Sequence, residues 1–401
     1  MRRVVITGVG LVSAFGCDVE GFWDALLAGE SAAREIQLPG LPPMPAVTVD
    51  DEAVDAEAVI GRRELKRMDR VGAFAAVAAA RALADAGEVG VDPWRFGASI
   101  ACAHGGAATL DEAQVALRER GADRVSPFTV PLALTNSPVA AVTRLNGLHG
   151  PTSAPATACA AGTDAIGWGF ERIRLGRADA MVVGGAEAAI IPPIAAGYLK
   201  LGAVASLERG AAAASRPFDR ARDGFVMAEG AGVLVLEELE HAQARGAPIL
   251  AEIIGYGQAC DAGHLTSPDE TGRGPARAIT EALADAGLAA DAIGYVNAHA
   301  TSTPVGDAAE ANALHLAGFA GVPVSSTKGQ HGHTLSAAGA IETIATLGVF
   351  ARGALPPTGN LADPDVDLDL VVEARPADVD IAMSTGFGFG GHDAALILRR
   401  P

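Results

Sequence analysis

The hexapeptide ALADAG occurs twice, at Ala82–Gly87 and at Ala282–Gly287. Each copy closes an Ala-rich stretch. Each is followed by a short loop and an apolar, strand-like run, GASIACAH after the first and GYVNAHA after the second. Six residues alone constrain little, because an Ala-rich helix commonly ends on Gly. The shared context constrains far more: a helix and then a strand, in the same order twice, predict a duplicated architecture. Strand-like runs at Val4–Thr7, Ala98–Ala103, Ala180–Val183, Val233–Leu236, Leu250–Ile254 and Ala395–Leu398 alternate with helical stretches such as 71–86, 276–286 and 337–352. That alternation predicts an α/β protein with helices covering buried sheets. EELEHAQARGAP (237–248) reads as a charged helix ending near Gly246. The chain is therefore expected to divide into halves at 1–247 and 248–401.

Charge and cysteine usage narrow the class. A formal net charge of −18 argues against a general nucleic-acid binder, which needs surplus Lys and Arg. Cys17, Cys102, Cys159 and Cys260 stand far apart with no CxxC. That pattern suits neither a zinc site nor a disulfide scaffold and is ordinary for a cytoplasmic protein. No apolar run of about 18 residues is apparent, so no membrane-spanning helix is expected. The start resembles a short lipoprotein signal ending at Cys17, but Thr7, Gly8, Gly10 and Ser13 interrupt it. Val4, Val5 and Ile6 read better as a buried first strand.

Four segments could carry chemistry. Cys159 stands in PTSAPATACAAGTDAIGWGFERIRLG, after two prolines and just before a helical stretch. A helix N-terminus favours thiolate, the nucleophilic form, and small neighbours leave room for a reacting group. The plain alternative is a buried small residue packing helix on sheet. His299 follows the strand-like GYVNA, and Lys328 and His333 share the Gly-containing turn STKGQHGH; such turns can project imidazoles into a cleft. Lys66, Lys200 and Lys328 are the only lysines among 30 basic residues, so Lys328 draws notice, and Glu342 in the next helix could pair with it. STGFGFGGHDAAL, with Phe387 and Phe389, reads as a turn presenting backbone N–H groups or as a phosphate cradle. His392 and Asp393 lack companion ligands, so no metal is expected.

Together TACAAG, NAHATSTPVGD, STKGQHGH with AAGAIE, and GFGFGG resemble the elongating β-ketoacyl-acyl-carrier-protein synthases, in family order over essentially the whole chain. VVGGAEA, ASRPFDRARDGFVMAEGAGVLVLEELEHA and DAGHLTSP match as well. The resemblance implies the thiolase fold, two similar halves in an αβαβα sandwich. It also implies a dimer, either homodimeric or paired with a chain-length-factor-like homologue, and an acyl carrier protein as partner. It makes Cys159 the acyl carrier, His299 and His333 the groups that hold the malonyl thioester, and Lys328 with Glu342 an electrostatic pair beside them. Backbone N–H groups of Cys159 and Phe389 become the oxyanion hole, and Phe389 a gate. Thr301 and Thr303 match contacts to the phosphopantetheine arm. No bound cofactor or metal is implied.

An acidic carrier needs basic docking points. GRRELKRMDR (61–70) offers Arg62, Arg63, Lys66, Arg67 and Arg70, with Arg124 and Arg209 as additional candidates; a solvated helix face is the plain reading of such a run. Some positions depart from the housekeeping pattern. His104 stands where an apolar chain-length residue is usual, Thr129 where an aromatic often lines the dimer contact, and Asp164 resembles polyketide ketosynthases. These favour an altered acyl pocket and a specialised polyketide or polyene pathway over primary fatty-acid synthesis. A non-catalytic chain-length-factor-like subunit is disfavoured by the presence of Cys159, and a degradative thiolase by the absence of any cysteine beyond Cys260.

Overall fold

Val4 to Val12 form strand β1, buried along its whole length. The computed structural model describes residues 1–401. To the 11-stranded sheet the first half contributes β1, β2 (Phe96–Ala101), β3 (Thr152–Ser153), β4 (Ala180–Glu187) and β5 (Gly230–Glu238). The second half contributes β6 (Ala251–Cys260), β7 (Tyr295–Asn297), β8 (Pro323–Ser325), β9 (Asp369–Leu370), β10 (Ile381–Gly388) and β11 (His392–Arg399). They join in the order β3-β2-β4-β5-β1-β6-β11-β10-β7-β8-β9.

The halves repeat one wiring. In the first, β1 runs antiparallel to β5 and β5 to β4, while β4, β2 and β3 are parallel. In the second, β6 runs antiparallel to β11 and β11 to β10, while β10, β7 and β8 are parallel. The halves meet at a short antiparallel seam, Val4–Ile6 against Ala251–Ile253. Helices α1 (Arg70–Ala86) and α3 (Arg273–Ala286) cover β1 and β6 from outside, and α4 (Pro304–Leu316) packs on α3. Helices α2 (Ala161–Arg174) and α5 (Ala338–Arg352) touch each other and strands of the central sheet, with α2 contacting strands of both halves. That is the αβαβα layering of the thiolase fold. Ile166, Phe170, Met181, Leu236, Ile344 and Leu396 share the core around the central helices.

Packing gives the ALADAG repeat a physical cause. A methyl group on Gly8 would lie 2.4 Å from the Ala82 carbonyl oxygen, and one on Gly10 2.0 Å from that of Ala78. In the second half, methyl groups on Gly255 and Gly257 would lie 2.4 Å and 2.2 Å from the carbonyl oxygens of Ala282 and Ala278. Each Ala-rich helix thus lies directly on paired glycines of its strand, where larger side chains on either partner would separate the layers.

The structure departs from the sequence reading in three places. STGFGFGGHDAAL is mostly strand: β10 runs through Gly388 and pairs with β11, leaving only Phe389–Gly391 as the turn. Its Ser384 and Thr385 are buried, so no polar–apolar alternation announced it. The charged helix after β5 is confined to Leu239–Ala244, because Glu237 and Glu238 complete the strand. Buried Glu237 is paired with Arg245 at 2.6 Å and His241 at 2.8 Å. Finally, Leu335–Arg352, which is central α5 with the turn before it, is long and apolar enough to cross a membrane, yet 83% of it is buried inside the fold.

Candidate active site

Cys159 sits in a turn, Ala158–Ala160, that leads directly into α2. Ala158 holds φ of 50°, a left-handed conformation that is costly for a residue with a side chain and is tolerated where the surroundings over-determine it. An equivalent turn, Leu335–Ala337, leads into α5, again with φ of 50° at its first residue. ACAAG and LSAAG are thus structural twins. The glycines ending each motif let the two turns touch. A methyl on Gly162 would lie 2.7 Å from the Ser336 carbonyl oxygen, and one on Gly339 2.1 Å from Thr163 Oγ1. Cys159 faces a cavity of about 310 Å³, whereas its counterpart Ser336 is buried and donates to Glu187 Oε2 at 2.7 Å.

Three groups from the second half converge on the sulfur. His333 Nε2 lies 3.1 Å from Cys159 Sγ. The His299 and His333 rings are 5.3 Å apart at 85°. Lys328 and Glu342 form an ion pair, both fully buried. The backbone fixes His333, whose N–H donates to Val226 C=O at 2.8 Å while its C=O accepts from Ala228 N–H at 2.9 Å. The Phe389 N–H is directed at the Cys159 sulfur, and Gly388 brings that strand end against Cys159: a methyl there would lie 3.0 Å from its backbone nitrogen. Thr301 and Thr303, whose hydroxyls are 3.1 Å apart, line the cavity mouth.

Burial dominates the electrostatics. It pushes the Cys159 thiol up to about 12, although the Lys328 charge and the Phe389 N–H pull the other way. The helix-terminus argument for a resting thiolate is therefore outweighed, and the sulfur rests as a thiol beside a neutral imidazole. Burial also drives His299 and His333 well below the ordinary histidine value, and the Lys328 charge adds to this. Both imidazoles are neutral at physiological pH, able to donate from one nitrogen and accept at the other.

The beta-ketoacyl synthase N-terminal domain model matches residues 1–242, and the C-terminal domain model matches residues 250–362. The chain belongs to the beta-ketoacyl synthase family. It is 41% identical to the 3-oxoacyl-[acyl-carrier-protein] synthase 2 of Synechocystis sp., over 100% of this chain and 98% of that protein. A beta-ketoacyl synthase from Burkholderia phymatum superposes with a TM-score of 0.91 at 37% identity, with 100% of both chains covered. A third relative is a ketosynthase solved with its type II PKS acyl-carrier protein and bound to the hexaketide. It gives a TM-score of 0.88 at 33% identity, again with 100% of both chains covered.

Within this beta-ketoacyl synthase, one residue that sequence reasoning missed is Glu310 on α4. Fully buried, it accepts from the backbone N–H of His299 at 2.9 Å, from that of Ala300 at 2.6 Å and from Thr385 Oγ1 at 2.7 Å. A carboxylate in an Ala-rich helix carries no local signal of such a role. Tyr198 and Phe225 also line the cavity, and Phe225 meets His333 edge-on at 5.5 Å.

Other expected site residues lie elsewhere. His104 does not line the cavity: Glu187 draws its Nδ1 to 3.4 Å, behind the Tyr198 ring. Burial works against the charged imidazole, but the Glu187 carboxylate outweighs it and raises the value above normal. Thr129 begins a short surface helix, Thr129–Ala133, flanked by exposed Phe128 and Val130, and contributes nothing to the cavity wall. Arg62, Arg63, Lys66, Arg67, Arg124 and Arg209 are exposed, and none lines the cavity. Arg70 is lost to the basic run, because it turns inward to Glu229 at 2.8 Å and also pairs with Asp51.

Proposed function

We propose that Cys159 carries the growing acyl chain of a β-ketoacyl-acyl-carrier-protein synthase and that His299 and His333 hold the malonyl unit that extends it. The observation that carries this reading is the 3.1 Å contact between Cys159 Sγ and His333 Nε2, with His299 alongside on the same cavity. In loading, the thiol proton leaves through His333 and the sulfur attacks the carrier-bound thioester, so the carrier departs as a free thiol. Neutral His299 and His333 then donate N–H to the malonyl thioester carbonyl. Cleavage of the carboxylate releases CO₂ and leaves its electron pair as an enolate held by those donors. The enolate carbon attacks the acyl carbonyl on Cys159. The resulting oxyanion is held by the N–H groups of Cys159 and Phe389, and collapse expels the sulfur and leaves a β-ketoacyl group on the carrier. Burial, reinforced by the charge of Lys328 beside Glu342, keeps both histidines neutral. The steps need no redox cofactor or metal.

The assignment divides the work between halves: 1–247 supplies Cys159, and 248–401 supplies the histidines, Lys328, Glu342 and Phe389. The carrier docks through Arg62, Arg63, Lys66, Arg67, Arg124 and Arg209, and its arm passes Thr301 and Thr303. The exposed apolar residues Leu110, Leu117, Phe128, Val130 and Leu134 suit a dimer contact that includes Thr129, with a second copy or a chain-length-factor-like homologue. The 33% identical type II PKS relative keeps a specialised polyketide or polyene pathway beside fatty-acid synthesis, which the 41% identical 3-oxoacyl-[acyl-carrier-protein] synthase 2 favours; the His104–Glu187 pair, standing outside the cavity, does not decide between them. Free cysteines throughout suit the reducing cytoplasm.

Cys159→Ala tests the mechanism: condensation should fall to background while the fold persists, and full condensing activity would overturn the reading. Cys159→Gln, a mimic of the acylated site, should still release CO₂ from malonyl carrier. Mass measurement of the group loaded on Cys159 from candidate carriers identifies the pathway.

A further inference from the structure

The turn that carries Phe389 is tied to the segment 261–269 by two backbone hydrogen bonds. Asp261 N–H donates to Gly391 C=O at 3.0 Å, and Gly390 N–H donates to Leu265 C=O at 2.9 Å. Beside them stands Asp393, near the start of β11. It is only 5% exposed and contributes to the cavity wall, and its Oδ2 is buried without a hydrogen-bond partner. A methyl group on Gly274 would lie 2.6 Å from Asp393 Oδ2 and 2.6 Å from Asp261 Cβ, so both acids border the space over Gly274.

The charges facing Asp393 are acidic: Asp164 from α2, and Asp261 and Asp269 from the segment after β6. Asp164 is committed to Tyr256 OH at 2.8 Å, Gln258 Nε2 at 2.7 Å and the Thr157 hydroxyl. Asp261 accepts from the amides of Gly263 at 3.1 Å and Asp269 at 2.8 Å. The nearby cation Arg273 lies 3.7 Å from Asp269. An ionised Asp393 would be a buried charge with no counter-ion beside three others of the same sign.

We propose that Asp393 carries a proton in the resting protein and uses it to latch the Phe389 turn to the segment 261–269. A neutral carboxylic acid adds no charge to the acids around it and has an O–H to donate towards Asp261, which replaces repulsion with attraction. Burial, and then the charges of Asp261, Asp164 and Asp269, push the Asp393 carboxyl up to about 8, so the proton is held at neutral pH and lost in mild alkali. Its loss adds a fourth negative charge and loosens Asp261, whose backbone holds Gly391. Asp393 is therefore a positioning residue: it touches no reacting atom, but it sets where the Phe389 N–H stands relative to Cys159.

The test is amide hydrogen exchange of segments 260–269 and 388–393 in the full chain between pH 6.5 and 9.5, corrected for intrinsic rates. Protection should be constant up to about pH 8 and then fall by up to about tenfold per pH unit. Asp393→Asn, whose amide donates at every pH, should remove that fall, and Asp261→Asn should move its onset to lower pH by more than half a unit. The alkaline limb of kcat/KM should vanish in the same Asp393→Asn variant. A flat wild-type profile, or the same fall in Asp393→Asn, overturns the latch. Because exchange is read without substrate, failure of the latch is distinguishable from failure of the condensing mechanism.

Discussion

Glu310 never reaches the cavity's thiol, yet it decides where one of the two imidazoles beside that thiol stands. Its two oxygens hold consecutive backbone N–H groups, those of His299 and Ala300, while Thr385 supports it from β10. Glu310→Gln would keep the shape but set an amide N–H against one of those donors, leaving it unpaired at a cost of about 1–3 kcal/mol. We expect decarboxylation of malonyl carrier to drop about tenfold to a hundredfold, with acylation of Cys159 much less affected; single-turnover assays of each half-reaction read this directly. Cys159, His299, Lys328 and His333 were legible in the sequence because each sits in a compact motif of unusual residues. Glu310 was not, since what defines it is a contact with a loop ten residues earlier and a strand far later. His104 was read as part of the acyl pocket, but a carboxylate eighty-odd residues away draws it aside.

At the scale of elements, the glycines and alanines that look featureless in composition set the distance between layers. Gly257→Ala would place a methyl 2.2 Å from the Ala278 carbonyl oxygen and 2.3 Å from the Ala282 nitrogen. Those are backbone atoms that cannot rotate away. We expect a loss of about 1–3 kcal/mol from overpacking, visible as a lower urea midpoint. Gly197→Ala, in the helix Pro192–Lys200 with nothing within 4 Å of the new methyl, should be neutral or stabilising by up to about 1 kcal/mol. The ALADAG repeat was visible because both helices meet the same requirement. The second repeat, ACAAG with LSAAG, is masked in the sequence because its chemistry diverged: one turn kept a sulfur facing the cavity, and the other a serine bonded to Glu187. Strand β10 is masked for a related reason, its buried Ser384 and Thr385 breaking the apolar signature of an interior strand.

Over the whole molecule, buried titratable groups set a pH profile whose sign can be worked out. Burial raises Asp307 and Glu342 to about 7 and Asp393 to about 8, against an unfolded value near 4. Their contribution is full below that value and is lost as pH rises through 7 to 8. Burial lowers His299, His331 and His333, so their contribution grows as pH rises towards the unfolded histidine value of about 6.5. The two sets oppose each other between about pH 4.5 and 6.5. Above that only the acids still act, and we expect the urea midpoint to fall from about pH 6.5 to 8; a midpoint rising over that interval would contradict the assignment. Surface charge gives a separate prediction. Reversing Arg62, Arg63, Lys66 and Arg67 to Glu should raise KM strongly for carrier-bound substrate and little for small thioesters. Equal effects on both would make the run a solvated face.

The seam between the halves has a consequence in time. Val4–Ile6 meets Ala251–Ile253, so this strand waits for a segment synthesised some two hundred and fifty positions later. Cys159 emerges well before His299, Lys328 and His333, and its neighbouring turn touches one that leads into α5. A half-made chain therefore holds the Cys159 thiol without the His299 and His333 imidazoles, the Lys328 ammonium or the Phe389 N–H from the turn after β10. The surroundings of the sulfur are complete only when the second half docks. The duplicated architecture thus sets when these groups meet as well as where.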